Sequence, residues 1–255
     1  MTVLSERELT GQLGKGILLH PLKPETIKAC NICLTASEYA YAIGKDERLP
    51  IQTQVNPNNP SEEKKYFEIP PKDTTLVWTD ESIWLSSYLC STIHSRVDLA
   101  SKGIGHIGTR VNPWWIGVLC IAFHNLSDSP RRIYVKDTTE PIAYLMVHRL
   151  SSKSSIKSNM DTAARLDVLQ GCQNATEIYE WYNNRANTWM SADKNLLKEL
   201  MLESTEYKNL KSGGLQLWIS SYIGSDQMTV WTAVMAVTSF VTSLLTAITL
   251  WLGNQ

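Results

Sequence analysis

The sequence lacks an excess of charge of either sign, a disulfide framework and an N-terminal secretion signal. It has 24 basic and 25 acidic residues, so no overall field draws the chain to nucleic acid or to an anionic surface. Its five cysteines are odd in number and scattered, which is typical of a reducing compartment. Met1 leads directly into a charged segment instead of a basic and then apolar one. These absences predict a body in the cytoplasm that does not bind nucleic acid.

Metal-ligand spacing is also missing. Cys30 and Cys33 form one CxxC, but no second pair and no nearby histidine couple completes a zinc site. The histidines show no ligand spacing either; they are His20, His94, His106, His124 and His148. We therefore predict no resident metal.

One long segment, 228–252, has no charged residue, glycine or proline. A helix over this segment would be about 37 Å long, enough to cross the hydrocarbon core of a bilayer with some tilt. Trp231 and Trp251 lie near its two ends, where indoles favour the membrane interface. The alternative is a buried helix of a soluble protein. The pattern favours a single C-terminal transmembrane helix that anchors a cytoplasmic body.

Small hydroxyl side chains recur along this segment. Ser239, Thr242, Thr246 and Thr249 are spaced so that they share one face of a helix. Such a stripe favours close packing and hydrogen bonding between transmembrane helices. The alternative is that each hydroxyl bonds to a carbonyl of its own helix. We expect self-association through this face.

The rest of the chain divides by pattern into strands and helices. Residues 1–150 contain short β-type runs separated by turn residues and predict a mainly β domain. Within it, Lys45 to Lys65 is rich in Asn, Pro and charge and predicts an exposed loop. The Ser-rich stretch 151–160 predicts a linker, and 161–225 predicts a helical connector with a short interfacial segment.

Several motifs occur in a fixed order over about 145 residues of this β-rich part. Arg96 to Ile104 matches the pattern R-S-S-L-A-R-x-G-L without a gap, and Thr79 to Glu81 matches T-x-E. Arg110 to Pro113 and Gly117 to Asn125 correspond to R-I-D-P and G-x-x-x-L-E-x-x-N. In these features the chain resembles the dCTP deaminase branch of the dUTPase-like superfamily. The resemblance implies a distorted jelly roll and a homotrimer with ligand sites between subunits.

The departures from the family pattern fall where the reaction would occur. The family's general base is the glutamate of L-E-x-x-N, and Ala122 stands at that position. A methyl group cannot accept a proton. Other replaced positions of the family motifs are Cys33, Val97, Asp98, Ser101, Asn112 and Tyr144. We therefore expect no catalytic residue and a scaffold that has lost its reaction.

The residues left that could bind a ligand are Arg96, Asp98, Lys102, Arg110, Asn112 and Trp114. Guanidinium and ammonium groups suit phosphate oxygens, although each of these cations could instead form an ion pair. Asp98 could hold Mg²⁺ with a bound nucleotide, replace the base, or pair with its neighbouring cations. Trp114 and Trp115 replace the Gly-x of the family's P-G-x-x-G turn and either stack on a base or fill the pocket.

Three functions are compatible with this sequence. The first is a membrane-anchored, catalytically inactive sensor or effector that binds a nucleotide or cyclic nucleotide; bacterial antiphage systems join sensors to such spans. The second is an active deoxynucleotide deaminase or dUTP diphosphatase with rearranged catalysis through Asp98 or Glu81. The third is a ligand-free trimeric scaffold at the membrane.

Overall fold

The computed structural model describes residues 2–56, 59–156, 160–184, 193–212 and 239. Its strands, in chain order, are β1 (Thr2–Val3), β2 (Ile17–His20), β3 (Ile32–Leu34), β4 (Ala36–Ala42), β5 (Glu47–Arg48), β6 (Gln52–Asn56), β7 (Asn59–Ile69), β8 (Thr74–Leu85), β9 (Leu89–His94), β10 (Ile104–His106), β11 (Thr109–Val111), β12 (Ile116–Asn125), β13 (Arg131–Tyr134) and β14 (Ala143–Arg149).

Helices precede, interrupt and follow these strands. They are α1 (Glu6–Gln12), α2 (Val97–Ala100), α3 (Thr176–Asn184) and α4 (Lys194–Glu203), with 3₁₀ segments at Pro24–Thr26 and Met160–Leu169. Helix α1 begins with a capping box, in which Ser5 and Glu8 each satisfy a backbone N–H of the other. The Asp193 side chain caps α4 by accepting the N–H groups of Asn195 and Leu196.

The strands pair antiparallel into three sheets. In the first, the order is β1-β14-β9-β11, and β3 also pairs with β14. In the second, the order is β10-β12-β8-β4-β5, and β2 also pairs with β8. The third is the ribbon β13-β7-β6. The prediction of a mainly β fold is confirmed.

Strand β8 is the centre of the second sheet, and almost all of its side chains are buried. A strand whose two faces are both apolar needs cover on both sides. Residues 160–184, which we call the strap, provide part of that cover. Their Ala164, Leu169, Ile178 and Trp181 pack in one cluster with Trp78 of β8 and its neighbours.

Helix α4 covers another part of the second sheet. Its Leu197 and Met201 pack against Leu18 of β2, Trp84 of β8 and Ile116 of β12. The last strand ends at Arg149, and the described elements after it are helical. They pack against the second sheet and are not a separate connector. Residues 1–207 form one compact unit, and 208–255 form a second.

The prediction of a loop over Lys45 to Lys65 is wrong, because this stretch contains β5, β6 and the first half of β7. Strands β6 and β7 pair in a regular register from Gln52 opposite Tyr66 to Val55 opposite Glu63. Their side chains are mostly polar because the ribbon extends away from the core, whereas Phe67 and Ile69 at its base are fully buried. Polar strands of this kind have the composition of a loop.

The predicted transmembrane segment 228–252 lies outside the described residues, except for Ser239. In the part of the chain that is described, no helix combines the length and the apolar character needed to cross a bilayer. In the second unit, residues 208–212 are helical. The membrane anchor and the hydroxyl stripe stay predictions.

Candidate functional site

A bulge in β8 places two carboxylates side by side in the interior. Ser82 and Trp78 lie opposite Val118 and Cys120 of β12, so three residues of β8 face one residue of β12. The Thr79 hydroxyl accepts the N–H of Leu119 and stabilises the bulge. As a result Asp80 and Glu81, which would point to opposite faces of a regular strand, are both buried next to Lys23.

The Glu81 carboxylate is fully engaged by the protein. It accepts the N–H of Thr35 at 2.9 Å and the Thr35 hydroxyl at 2.6 Å, and it lies 3.5 Å from the Lys23 ammonium. Lys23 also contacts Asp80 at 3.0 Å. Burial raises the pKa of Glu81 against the opposing effects of Lys23 and Thr35. With 2% exposure, Glu81 holds β3 and β8 together and is not placed to activate a water for a ligand in solvent.

Arg96 and Asp98 pair with each other. The Arg96 guanidinium makes two hydrogen bonds to the Asp98 carboxylate, at 2.9 and 2.5 Å, and donates a third to the carbonyl of Pro141. Two donor nitrogens are thus committed to Asp98 in the fork geometry that guanidinium favours. Of the sequence-based alternatives for Asp98, the structure displays the ion pair with its neighbouring cation.

A solvent-open cleft of about 660 Å³ lies between α2 and β13, next to this ion pair. We call it the α2–β13 cleft. Its charged and aromatic lining consists of Glu68, Lys102, Arg131, Arg132, Tyr134 and Glu140. A narrow crevice lined by Arg96 shares Arg132, Tyr134 and Glu140 with it. Lys102 and Arg96 of the predicted site are therefore brought to one region.

The cations of the cleft differ in how far they are already neutralised. Arg132 contacts Glu68 at 3.1 Å and lies over the ring of Tyr66, so its charge is engaged. Arg131 donates to the Ser127 hydroxyl at 3.1 Å. Among the described residues, neither Lys102 nor Arg131 has a carboxylate oxygen within 4.0 Å. These two side chains are the cations that an incoming anion would meet.

Three residues of the cleft were not predicted as site residues from the sequence: Arg131, Arg132 and Tyr134. They follow Pro130, which matches the family's motif order, and a pair of arginines directly after that proline was the available signal. The pairing of β13 with β7 determines that these side chains flank the cleft. That pairing depends on the ribbon, which the sequence analysis took for a loop.

Arg110 and Asn112 lie elsewhere, on the first sheet and the turn that follows it. Arg110 is exposed on β11, opposite Thr92 of β9. The Thr92 hydroxyl lies 2.8 Å from Nε2 of both His94 and His148. Within one chain, therefore, Arg110 and Asn112 do not line the α2–β13 cleft.

Trp114 has a left-handed backbone conformation that is typical of glycine. Its φ is +66°, a left-handed value that costs a non-glycine residue roughly 1–2 kcal/mol. The indole packs against the cluster that contains Trp84, Leu197 and Met201, and its Nε1–H donates to the carbonyl of Ser154 at 3.3 Å. Trp114 therefore packs with residues of α4 and does not line the α2–β13 cleft, and the two sequence-based alternatives, stacking on a base and filling the pocket, stay predictions.

Ala122, which stands where the resembling motif L-E-x-x-N has its glutamate, lies beneath the strap. Ala122 and Cys120 of β12 stand opposite Leu76 and Trp78 of β8, so all four side chains share one face of the sheet. That face packs against Ala164, Leu166 and other strap residues. Burial raises the pKa of the Cys120 thiol to about 12, so it is neutral near pH 7. Ala122 is only partly buried on this face, and its methyl group offers no proton acceptor.

Among the described residues, no group of three His, Cys, Asp or Glu side chains is placed to hold a metal ion. The Mg²⁺ considered with a bound nucleotide would have to use Asp98, whose carboxylate is paired with Arg96.

Comparison with known proteins gives weak similarity to dCTP deaminases. No family model matches the chain. The dCTP deaminase of Pyrococcus abyssi is 24% identical over 155 residues, which cover 61% of this chain and 92% of the relative.

Two solved structures are similar at lower identity. The 2'-deoxycytidine 5'-triphosphate deaminase of Agrobacterium tumefaciens has a TM-score of 0.41 and 12% identity, covering 58% of this chain and 47% of its own. The EIAV dUTPase has a TM-score of 0.30 and 16% identity, and the match covers 44% of this chain and 96% of the dUTPase chain. The present chain thus spans about half of the Agrobacterium chain.

The strain at Trp114 predicts an unusual order of stability for two substitutions. Trp114→Ala and Trp114→Gly both lose the indole packing, at a cost of roughly 2–4 kcal/mol. The glycine variant should nevertheless be the more stable of the two by about 1 kcal/mol, because glycine adopts φ +66° without strain. Urea unfolding of both variants measures the difference.

Trp115 provides the control, since its φ is not positive. There Trp115→Gly should be less stable than Trp115→Ala, as at an ordinary position. An alanine variant at 114 as stable as the glycine variant would contradict the strain.

The pair of histidines on the first sheet predicts a loss of stability in acid. Burial, and then the neighbouring His94, lower the pKa of His148 below its usual value. The stabilisation from the neutral ring is complete above about pH 6.5 and is lost as the pH falls through the lowered pKa. Replacement by glutamine should therefore reduce the drop in urea midpoint between about pH 7.5 and 5.5.

His124→Gln is the matched control for loss of a histidine–threonine contact, because His124 lies 2.9 Å from the Thr74 hydroxyl. If His148→Gln loses as much stability in acid as the unaltered protein, His148 is not the group that titrates.

Proposed function

We propose that this chain is a membrane-anchored, dCTP-deaminase-like protein that binds a nucleotide or a related phosphate ligand and does not deaminate it. The proposed loss of activity is based on Ala122, which places a methyl group at the position of the family's base, beneath the strap. General-base catalysis requires a group that accepts a proton within hydrogen-bond reach of the reacting water. The surrounding face is apolar and supplies none.

The proposed ligand site is the α2–β13 cleft. Lys102 and Arg131 supply cationic donors without a carboxylate partner, and Tyr134 adds an aromatic wall. Phosphate oxygens are suited to such donors, and a nucleotide also has a ring that can lie against an aromatic side chain. The weak similarity to dCTP deaminases makes a nucleotide the first ligand class to test.

We further propose a homotrimer in which Arg110 and Asn112 of one subunit face a cleft of another. Both lie outside the cleft of their own chain, and Arg110 is exposed. The hydroxyl stripe of segment 228–252 would then bring three membrane helices together. A sensor or effector role, including one in antiphage defence, follows from this architecture by analogy alone.

The ligand-free scaffold is the second candidate, and two observations favour it. Trp114 packs against α4 instead of lining an open pocket, and Arg96 is committed to Asp98 and to the carbonyl of Pro141. The active-enzyme alternative has less support, because Glu81 is buried in contact with Thr35 and Lys23 and Asp98 is paired.

Calorimetry on the full chain in detergent, titrated with dCTP, dUTP and a cyclic nucleotide, separates these candidates. We expect saturable binding that weakens at least tenfold in the double variant Lys102→Ala with Arg131→Ala, since two charge-assisted contacts are lost. Binding should also weaken as salt is added. Lys153→Ala, an exposed lysine outside the cleft, is the control.

If none of the three nucleotides binds, the result favours the ligand-free scaffold. Ammonia release from dCTP in the same samples would overturn the inactive reading, and loss of that release in Asp98→Ala would identify rearranged catalysis.

The membrane anchor predicts that the full chain stays with the membrane pellet after alkaline extraction. A double variant, Val237→Arg with Val241→Arg, should move to the soluble fraction, because each arginine near the bilayer centre costs about 2.5–3.5 kcal/mol. Val237→Leu with Val241→Leu is the control and should stay in the pellet. An unaltered chain that is soluble and monodisperse without detergent would exclude the anchor.

A further inference from the structure

The strap is attached to the body by side chains and not by strand pairing. Among the described residues, no backbone-to-backbone hydrogen bond joins residues 160–184 to a strand. The indole of Trp78 donates to the carbonyl of Ala164 at 2.7 Å, and the Asp46 carboxylate accepts the N–H of Gln173 at 3.2 Å. The strap can therefore detach without breaking any hydrogen bond of the sheets.

Helix α3 adds a second set of side-chain contacts between the strap and the body. Trp181 stacks on Tyr39 of β4 with ring centroids 3.8 Å apart. The Arg48 guanidinium also lies over the Tyr39 ring, 4.5 Å from its centroid. Glu177 pairs with Arg48 at 3.0 Å, and both side chains are partly exposed. This is a compact set of side-chain contacts that can form and break together.

The backbone of the strap is strained where it crosses the sheet. Ala164 and Arg165 are consecutive non-glycine residues in the left-handed region, with φ of +59° and +52°. Consecutive residues of this kind are unfavourable and persist only where surrounding contacts hold them. Here the Trp78 hydrogen bond and the full burial of Ala164 hold the conformation, so it depends on the strap being docked.

The face beneath the strap includes Ala122 and Cys120. The Cys120 side chain packs against strap residues, and its neighbour across the sheet is Trp78. Cys120 is partly exposed even under the strap, so removal of this cover would raise the rate at which its thiol reacts with a reagent in solution. Cys120 is therefore a natural reporter of the docked and undocked states.

We propose that the strap is a displaceable cover, which opens as a unit while the sheets stay folded and thereby uncovers the face that carries Trp78, Cys120 and Ala122. The described conformation is the closed state. This inference goes beyond the proposed nucleotide binding and does not rest on it, because the α2–β13 cleft is lined by other residues.

Thiol labelling of Cys120 in the full chain tests the proposal. Cys30, Cys90 and Cys172 are replaced by serine and the buried Cys33 by alanine, so that Cys120 is the single target. Labelling is followed in increasing, sub-denaturing urea and compared with global unfolding measured by circular dichroism. We expect labelling through an opening that depends only weakly on urea, because it exposes little surface. Labelling that tracks global unfolding, with the same urea dependence, would overturn the proposal.

Matched substitutions should change the labelling rate in opposite directions. Trp78→Phe removes the hydrogen bond to Ala164 and should speed labelling by about tenfold. Arg165→Gly should label about fivefold more slowly than Arg165→Ala, because both lose the Asp167 ion pair but only glycine relieves the left-handed strain. Trp115→Phe, whose indole donates to Gly117 outside the strap, should leave the rate unchanged.

Hydrogen exchange on the unaltered chain keeps the test independent of these variants. The amides of Ile178 and Tyr179 in α3 should exchange with a lower opening free energy than those of Val77 in β8 and Ile121 in β12. Equal protection of strap and strands would show that they open together and would contradict a separate cover.

Discussion

The structure depends on covering both faces of β8. This strand pairs with three others and has apolar side chains on each face, so neither face can be left in water without losing the burial that holds the sheets together. One face is covered by the packing of the sheets. The other is covered by the strap and by α4, which come from the part of the chain that follows the last strand.

The same need for cover determines the surroundings of Ala122. Ala122 and Cys120 lie on the face that the strap covers, and an ionised carboxylate at residue 122 would be costly to bury there without a partner. An alanine at this position and cover by the strap are therefore physically consistent with each other. A separate set of charged side chains, open to solvent, lines the α2–β13 cleft.

The charged residues divide into engaged and available groups. Lys23, Asp80 and Glu81 satisfy one another in the interior, and Arg96 and Asp98 do so at the surface. Lys102 and Arg131 have no carboxylate partner among the described residues. The resemblance to the family favours Arg96 as a ligand contact. In the folded chain Arg96 is paired with Asp98, whereas Lys102 and Arg131 are available to an anion.

The sequence by itself determined the mainly β body and the helices after residue 160, because periodicity is a local property. It did not predict the β6–β7 ribbon, whose polar strands have the composition of a loop, and so it missed Arg131 and Arg132. Only the tertiary structure decided that Arg96 also donates to the carbonyl of Pro141, that Trp114 packs on α4 and that the strap covers Ala122. Each of these depends on contacts between segments far apart in the chain, which no local pattern specifies.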